Sequence, residues 1–251
     1  QHAAIEATGG VLDLQGNTLL DGGLTMSGDA QLKNKLTAGT FTNSGSDTYS
    51  VSVEGSSQYT TVFDLLETGY AFAKYDESAE NKVGAIVDGS VKQLTEDVIV
   101  VAHTHSIEEG QSACACGKQF EAGVTAVDGT ITYYETIDEA FANVTAGGTV
   151  KLIIDSDDRS RSNTIYVVGG PYTFDLNGHR VGHRTGDDFN QAFLQVGDPD
   201  GNPGTLTVLD SSDAQTGYFY ELELYNGDLT VESGSFYRYW ESATTATGTM
   251  T

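Results

Sequence analysis

The sequence predicts a mainly β protein made of parallel β-helix (solenoid) segments joined by a small α+β linking domain. The 251 residues include 30 Gly and 3 Pro, and β-favouring side chains are common, as is typical of short strands separated by tight turns. Two motifs recur in the same order in both halves of the chain, and the stretch between them lacks this pattern. Short strands with one apolar face bury it by stacking on neighbouring strands, as in a solenoid.

The repeated motifs locate the two solenoid segments. The first motif, at 12–17 and 174–179, reads apolar, Asp, Leu, polar, Gly, polar. Its two apolar residues face the same side of a strand, and Asn177-Gly178 then tolerates the positive φ of a tight corner. The second motif, at 28–41 and 227–236, ends with Gly, a hydroxyl residue and Phe. The sequence therefore predicts two related solenoid segments with different insertions.

The region between the repeats predicts a linking domain. A short helix is expected from Thr61 to Gly69, with Asp64 in its first turn, and strands at 70–75 and 98–102 follow. A second helix is expected over 136–144, because Thr136 and Glu139 form a capping box. It would cover the open first rung of the second solenoid. The predicted divisions are the end of a first solenoid module (1–58), a linking domain (59–128) and a second solenoid segment (129–251).

The net charge of the chain limits the classes of partner that it can bind. It has 12 Lys and Arg against 36 Asp and Glu, a net charge of −24. Such a surface repels phosphate backbones and anionic lipid, which argues against nucleic acid as a partner. No apolar run approaches the ~20 residues that span a bilayer, so we expect no membrane insertion. The first residues lack a signal-peptide pattern, and we expect the chain to be a segment of a longer protein whose adjacent modules contact it.

The combined order of several segments resembles modules of very large surface proteins of Gram-positive gut bacteria. The resemblance covers about Leu12 to Phe236 and implies right-handed parallel β-helices, export and attachment to the cell wall. Such proteins include adhesins, immunoglobulin-binding proteins and accessory regions of glycan-degrading enzymes. The segments that carry the resemblance are Leu65-Leu66-Glu67-Thr68-Gly69-Tyr70-Ala71-Phe72, His103-Thr104-His105, Cys114-Ala115-Cys116-Gly117, Tyr133-Tyr134-Glu135-Thr136-Ile137-Asp138-Glu139-Ala140-Phe141, Val150-Lys151-Leu152-Ile153 and Asp175-Leu176-Asn177-Gly178.

The strongest chemical motif is a pair of histidines followed by a pair of cysteines. His103, His105, Cys114 and Cys116 supply two imidazoles and two thiolates, the donors of a tetrahedral zinc site. Gly117 would let the turn fold round the metal. The H-x-H and C-x-C spacings are tighter than the usual C-x2-C and H-x3-H. Two alternatives stay open: the cysteines form a small-ring disulfide, or the site is a degenerate remnant without metal. The zinc site, the disulfide and the degenerate site are all structural interpretations, and none implies catalysis.

A second oxygen-rich motif lies in a Pro/Gly-rich stretch. Asp198, Asp200 and Asn202 alternate like the start of a calcium loop. Gly is missing from the sixth position, and the twelfth is Leu209 where a calcium loop has Glu. A protruding turn at a solenoid corner is the preferred interpretation, with calcium as the weaker alternative.

An enzymatic interpretation rests on 186–188, Gly-Asp-Asp, near His179, Arg180, His183 and Arg184. Some β-helix enzymes cleave polysaccharides with Asp residues that cluster on one outer face. The companion motifs of such enzymes are missing, so catalysis is not the favoured prediction.

Aromatic residues crowd the last quarter of the chain. If some project from one face, they would stack on sugar rings or anchor a protein partner, although strand alternation would bury about half of them. The candidates are Tyr218, Tyr220, Tyr225, Tyr237, Tyr239 and Trp240.

Together these features predict a non-catalytic, rigid display segment that binds host glycans or a host glycoprotein such as immunoglobulin. The alternatives are a polysaccharide-active β-helix enzyme or its accessory module, and a structural stalk repeat without a ligand.

Overall fold

The computed structural model describes residues 4–14, 20–43, 50–108, 110–156, 164–182 and 194–241, with backbone only at 20, 21, 43 and 237–241. The chain divides into two compact units, Gln1–Gln119 and Phe120–Thr251. The expected mainly β class is confirmed, since the described part holds one α-helix and a short 3-10 helix among many strands. The three-part division at 58/59 and 128/129 stays a prediction.

The first unit is built of short strands. Its strands β1 to β11 are Ile5–Ala7, Val11–Leu12, Leu20–Asp21, Leu24–Met26, Gln31–Leu32, Phe41–Asn43, Val51–Ser52, Tyr70–Tyr75, Val83–Ile86, Gln93–Leu94 and Val98–Ala102. Parallel pairs β1–β4–β7, β3–β6 and β2–β5 occur among the early strands. Antiparallel pairs β7–β10, β6–β11, β11–β8 and β8–β9 extend the two larger sheets. Its core contains Leu24, Met26, Phe41 and Phe72.

The predicted helix after Thr61 is present but short. A 3-10 helix spans Val62–Leu65, and the Asp64 carboxylate accepts hydrogen bonds from the N–H groups of Thr60 and Thr61. Leu66 is already extended and forms a parallel bridge with Leu36. The helix therefore ends four residues before Gly69, because hydrogen bonding of residues 65–67 with Leu36 replaces the next helical turn.

The described part of the second unit forms two sheets with many parallel pairs. Its strands β12 to β22 are Ala122–Thr125, Ile131–Tyr134, Thr149–Leu152, Ile165–Val167, Gly169–Asp175, Arg180–Val181, Leu194–Val196, Gly204–Leu209, Tyr218–Leu224, Gly227–Val231 and Ser235–Glu241. One sheet has the order β13-β12-β14-β16-β19-β21, parallel from β14 to β21. The other has the order β15-β18-β20-β17, with β22 also paired to β20, and all its pairs are parallel.

The predicted second helix is confirmed. Helix α1 spans Ile137–Asn143, and the Thr136 hydroxyl accepts a hydrogen bond from the Glu139 N–H at 3.2 Å. Ile137, Ala140 and Phe141 are buried, so the helix packs through an apolar face. Phe141 meets Phe174 edge-to-face at 5.1 Å, which places the helix against the core of this unit.

The predicted corner after Phe174 is also present. Asn177 and Gly178 have φ values of 48° and 81°, as expected for a tight turn. Asp175 lies between the core residues Phe174 and Leu176 along the strand, and its side chain is buried as well. Its carboxylate accepts hydrogen bonds from Asn177 in its own corner and from Ser211 in the corner of a neighbouring strand.

Asp210 has the reciprocal role at that neighbouring corner. Its carboxylate accepts hydrogen bonds from the N–H groups of Gly178, Ser212 and Gly217. The carboxylates of Asp175 and Asp210 thus join the corners of neighbouring strands by hydrogen bonds. A pattern of alternating apolar residues does not reveal these bonds.

Candidate metal centre

The two histidines follow β11 directly. The His103 N–H donates to the Gly69 carbonyl at 2.8 Å, so the antiparallel pairing of β11 with β8 continues one residue beyond Ala102. In an extended chain alternate side chains share a face. His103 and His105 are accordingly half-buried while Thr104 between them is exposed, and the imidazole rings lie 5.1 Å apart.

The two cysteines lie in a tight turn. The Cys114 N–H donates to the Lys118 carbonyl, and the Gly117 N–H donates back to the Cys114 carbonyl. Cys114 and Cys116 are buried, with Ala115 exposed between them. This hydrogen bonding aims both thiols to one side, as a metal-binding knuckle requires.

Gly117 is needed for this turn on two grounds. Its φ of 86° lies in the left-handed region, and a Cβ there would collide with the Asp88 carboxylate. The Gly89 N–H also donates to the Cys116 carbonyl at 2.8 Å. The cysteine turn is thus seated on the 88–90 loop, and a side chain at 117 would lift it off.

The four predicted ligands converge. Their donor atoms all lie within 4.8 Å of one another. His103 Nε2 is 3.0 Å from Cys114 Sγ, and His105 Nδ1 is 3.5 Å from Cys116 Sγ. A tetrahedral zinc ion with usual bond lengths separates its ligand atoms by about 3.4–3.8 Å. Both thiols are free, so the structure does not contain the disulfide alternative. This group can hold a metal ion.

Burial shifts the pKa values of His103 and Cys116. Burial lowers the pKa of His103, which favours the neutral imidazole that binds metals. Burial, reinforced by the adjacent Cys114 thiol, raises the pKa of Cys116 to about 11 against the opposing effect of the Lys118 N–H. Without a metal the Cys116 thiol is protonated at neutral pH, so a bound cation would displace that proton.

The aromatic ring of Phe63 lies beside the four candidate ligands. The Phe63 ring lies 6.3 Å from the His105 ring, and Lys118 Nζ lies 5.6 Å from the Phe63 centroid. Phe63 sits in the 3-10 helix, forty residues before the histidines, and nothing in its sequence context connects it to them. Only the chain fold makes it part of the site.

The weaker calcium candidate forms a closed turn. The Asp198 carboxylate accepts hydrogen bonds from the Asn202 N–H at 2.8 Å and from its side-chain amide at 2.7 Å. These two hydrogen bonds close the Asp198–Asn202 turn. Asp200 is exposed in the same turn. Calcium binding stays a prediction.

Only His179 and Arg180 of the residues in the enzymatic interpretation lie in the described part of the chain. Residues 183–193, which include the Gly-Asp-Asp motif, His183 and Arg184, lie outside the described residues. Arg180 donates to Asp155 through Nε and one terminal nitrogen, and His179 Nδ1 lies 3.4 Å from the same carboxylate. The Arg180 guanidinium is therefore ion-paired with Asp155, and the His179 ring lies beside the same carboxylate.

The aromatic candidates lie on and beside the last strands. Tyr218 and Tyr220 in β20 are partly exposed, with ring centroids 6.3 Å apart, and Tyr225 is partly exposed. In β22, Tyr239 is in register with buried Leu222, and Trp240 is in register with partly exposed Glu223. The side chains of Tyr237, Tyr239 and Trp240 lie outside the described part of the chain.

Comparison of the chain with models of protein families, curated proteins and solved structures found no match. Among the described residues, no helix has the length and apolar character needed to cross a bilayer.

Proposed function

We propose that this chain is a non-catalytic segment of a secreted, wall-attached bacterial surface protein, in which parallel β-helical segments form a rigid scaffold and a zinc ion fastens the cysteine turn. The convergence of His103, His105, Cys114 and Cys116 is the observation that carries the proposal. The scaffold would present binding surfaces to host glycans or to host glycoproteins such as immunoglobulin.

Zinc is the cation that best suits this donor set. Two imidazole nitrogens and two thiolate sulfurs are the ligands of structural zinc, whereas calcium and magnesium take oxygen ligands. All four positions of a tetrahedral ion would be filled by protein atoms. No position is then left for a water or substrate, so the site stabilises the fold and performs no reaction.

The strand arrangement supports the scaffold role. In the second unit, parallel neighbours follow one another from β14 to β21, and each buries apolar residues on one side, including Val150, Phe174, Val208 and Leu229. Stacked strands of this kind give rigidity along the stack because each strand is hydrogen-bonded to the strands on either side of it. The right-handed β-helix expected from the family resemblance belongs to this proposal.

Metal analysis tests the proposal. Protein purified without added metal should contain about one zinc per chain by elemental mass spectrometry, and cobalt substitution should give the visible absorption of a tetrahedral sulfur–nitrogen site. Replacing both cysteines, Cys114→Ser and Cys116→Ser, should abolish both signals. Thr104→Val, on the exposed side of the same extended segment, is the matched control and should retain both.

Two results would overturn the proposed site. One is zinc far below stoichiometric amounts after reconstitution with excess zinc. The other is equal zinc in the double cysteine variant and the Thr104→Val control. A separate screen of the intact chain on host glycan and glycoprotein arrays addresses presentation. No binding there, with zinc bound, would leave a structural stalk.

A further inference from the structure

The six-stranded sheet of the second unit carries a row of threonines on one face. The members lie in direct register on five neighbouring strands, and all are partly exposed. The residue that follows in three of these strands, Val150, Phe174 or Val208, is buried. Because side chains alternate along a strand, the threonines lie on the outer face. The threonine row is Thr125, Thr149, Thr173, Thr207 and Thr230.

The row is regular in geometry. Adjacent strands in a sheet are about 4.8 Å apart, so five strands repeat the same side chain over about 19 Å. The register shift between β16 and β19 lies at residues 169–172 and ends before Thr173. The row therefore presents a hydroxyl and a methyl group at equal steps, approximately perpendicular to the strands.

Sheet propensity alone does not account for the repetition. Threonine is favoured in strands, and pairs of threonines stabilise neighbouring strands. The same preference acts two residues further along three of the same strands. There the register partners are Lys151, Asp175 and Leu209, which differ in charge and in polarity. The identity of all five residues in one row and the variety in the next point to a requirement outside the sheet.

The chemistry of the row selects a partner. No residue in it is charged, although the whole chain carries 36 acidic and 12 basic residues. At one end, Ile131 is opposite Thr125 and is 52% exposed, which adds an apolar contact. A ligand that meets the same hydroxyl and methyl at every step must itself repeat, with hydroxyl groups and C–H surfaces in each unit.

We infer that the threonine row binds an extended, uncharged polysaccharide lying across the strands. The inference rests on the proposed function, since it names the ligand class for one face of the scaffold. Each threonine hydroxyl can both donate to and accept from sugar hydroxyls, and each methyl can pack on the C–H face of a sugar. The net charge of −24 disfavours acidic polysaccharides through repulsion.

Affinity electrophoresis of the full chain tests the inference. Native gels would contain hydroxyethyl cellulose or galactomannan as neutral probes, or polygalacturonate as the charged probe. The double variant Thr173→Val with Thr207→Val removes two central hydroxyls while keeping β-branched shape. Thr25→Val, a partly exposed strand threonine in the first unit, is the matched control.

We expect a neutral polymer to retard the wild type and the Thr25→Val control, with little retardation by polygalacturonate. One neutral hydrogen bond is worth about a fivefold change in affinity, so the double variant should bind about 25-fold more weakly. Its thermal midpoint should be unchanged or higher, because valine is at least as good as threonine in a strand. Weaker binding with intact stability separates recognition from a purely structural role.

Several results would contradict polysaccharide binding by the threonine row. The inference is overturned if no neutral polymer retards the wild type, if the double variant is retarded as strongly as the control, or if polygalacturonate binds as well as the neutral probes. Thermal hysteresis of ice growth without retention by any polymer would assign the row to ice instead. Zinc content is measured on the same samples. Zinc-loaded protein that binds no polymer refutes only this inference, and zinc-free protein that binds polymer refutes only the proposed zinc site.

Discussion

Replacement of Asp210 by alanine gives the most direct test of how the corners of the second unit are held. Asp210 is 3% exposed, and its carboxylate accepts three N–H hydrogen bonds, from Gly178, Ser212 and Gly217. A buried donor left without an acceptor costs about 1–3 kcal/mol. The Gly217 N–H is buried and bears the full cost, while water can reach the other two in part. We therefore expect Asp210→Ala to lower the free energy of unfolding by about 3–5 kcal/mol.

Urea unfolding followed by circular dichroism measures this loss. Asp213→Asn, an exposed change three residues away, should alter the free energy of unfolding by less than about 0.5 kcal/mol. Asp210→Asn keeps one acceptor oxygen and should fall between the two. A loss below about 1 kcal/mol in Asp210→Ala, with an unchanged urea dependence, would refute the view that this carboxylate ties the corners together.

The same residue predicts an acid dependence. Burial by itself would raise the pKa of Asp210, but hydrogen bonds from Ser212, Gly217 and Gly178 outweigh it, and the pKa lies below its usual value. A carboxyl group with a lowered pKa in the folded state stabilises the fold fully above its unfolded pKa, about 3.9, and less as the pH falls through the folded value. The wild type should therefore lose stability below about pH 4 more steeply than Asp210→Asn. Parallel acid profiles of the two proteins would contradict this assignment.

Two further changes probe the metal centre and the helix. Gly117→Ala should weaken zinc binding at least tenfold in competition with a chromophoric chelator, because the new Cβ collides with Asp88. Gly110→Ala is the control for backbone strain alone, since Gly110 has a similar φ of 77° and open space around it. Equal losses of zinc affinity in the two variants would contradict the role of this collision. Thr136→Ala should lower the free energy of unfolding by about 1 kcal/mol in urea, since it removes the acceptor for the first turn of α1, and no change would show that the cap is dispensable.

Local patterns in the sequence determined several features of this protein. The capping box at Thr136 was sufficient to locate α1, because a helix start is decided by hydrogen bonds within four residues. The Asn177-Gly178 corner followed from the few residues that tolerate positive φ. The H-x-H and C-x-C pairs predicted the four converging donors, since in each pair the two ligands are buried or half-buried on one side and the residue between them is exposed.

Tertiary structure decided what depends on pairing between distant residues. The helix after Thr61 ends early because Leu66 pairs with Leu36, which no local pattern records. Phe63 and Asp88 border the cysteine turn only because the chain returns there. The threonine row exists only through register, since its members lie 23 to 34 residues apart along the chain at uneven intervals. Local sequence sets which side of a strand a residue faces, but the strand partners set which residues become neighbours across it.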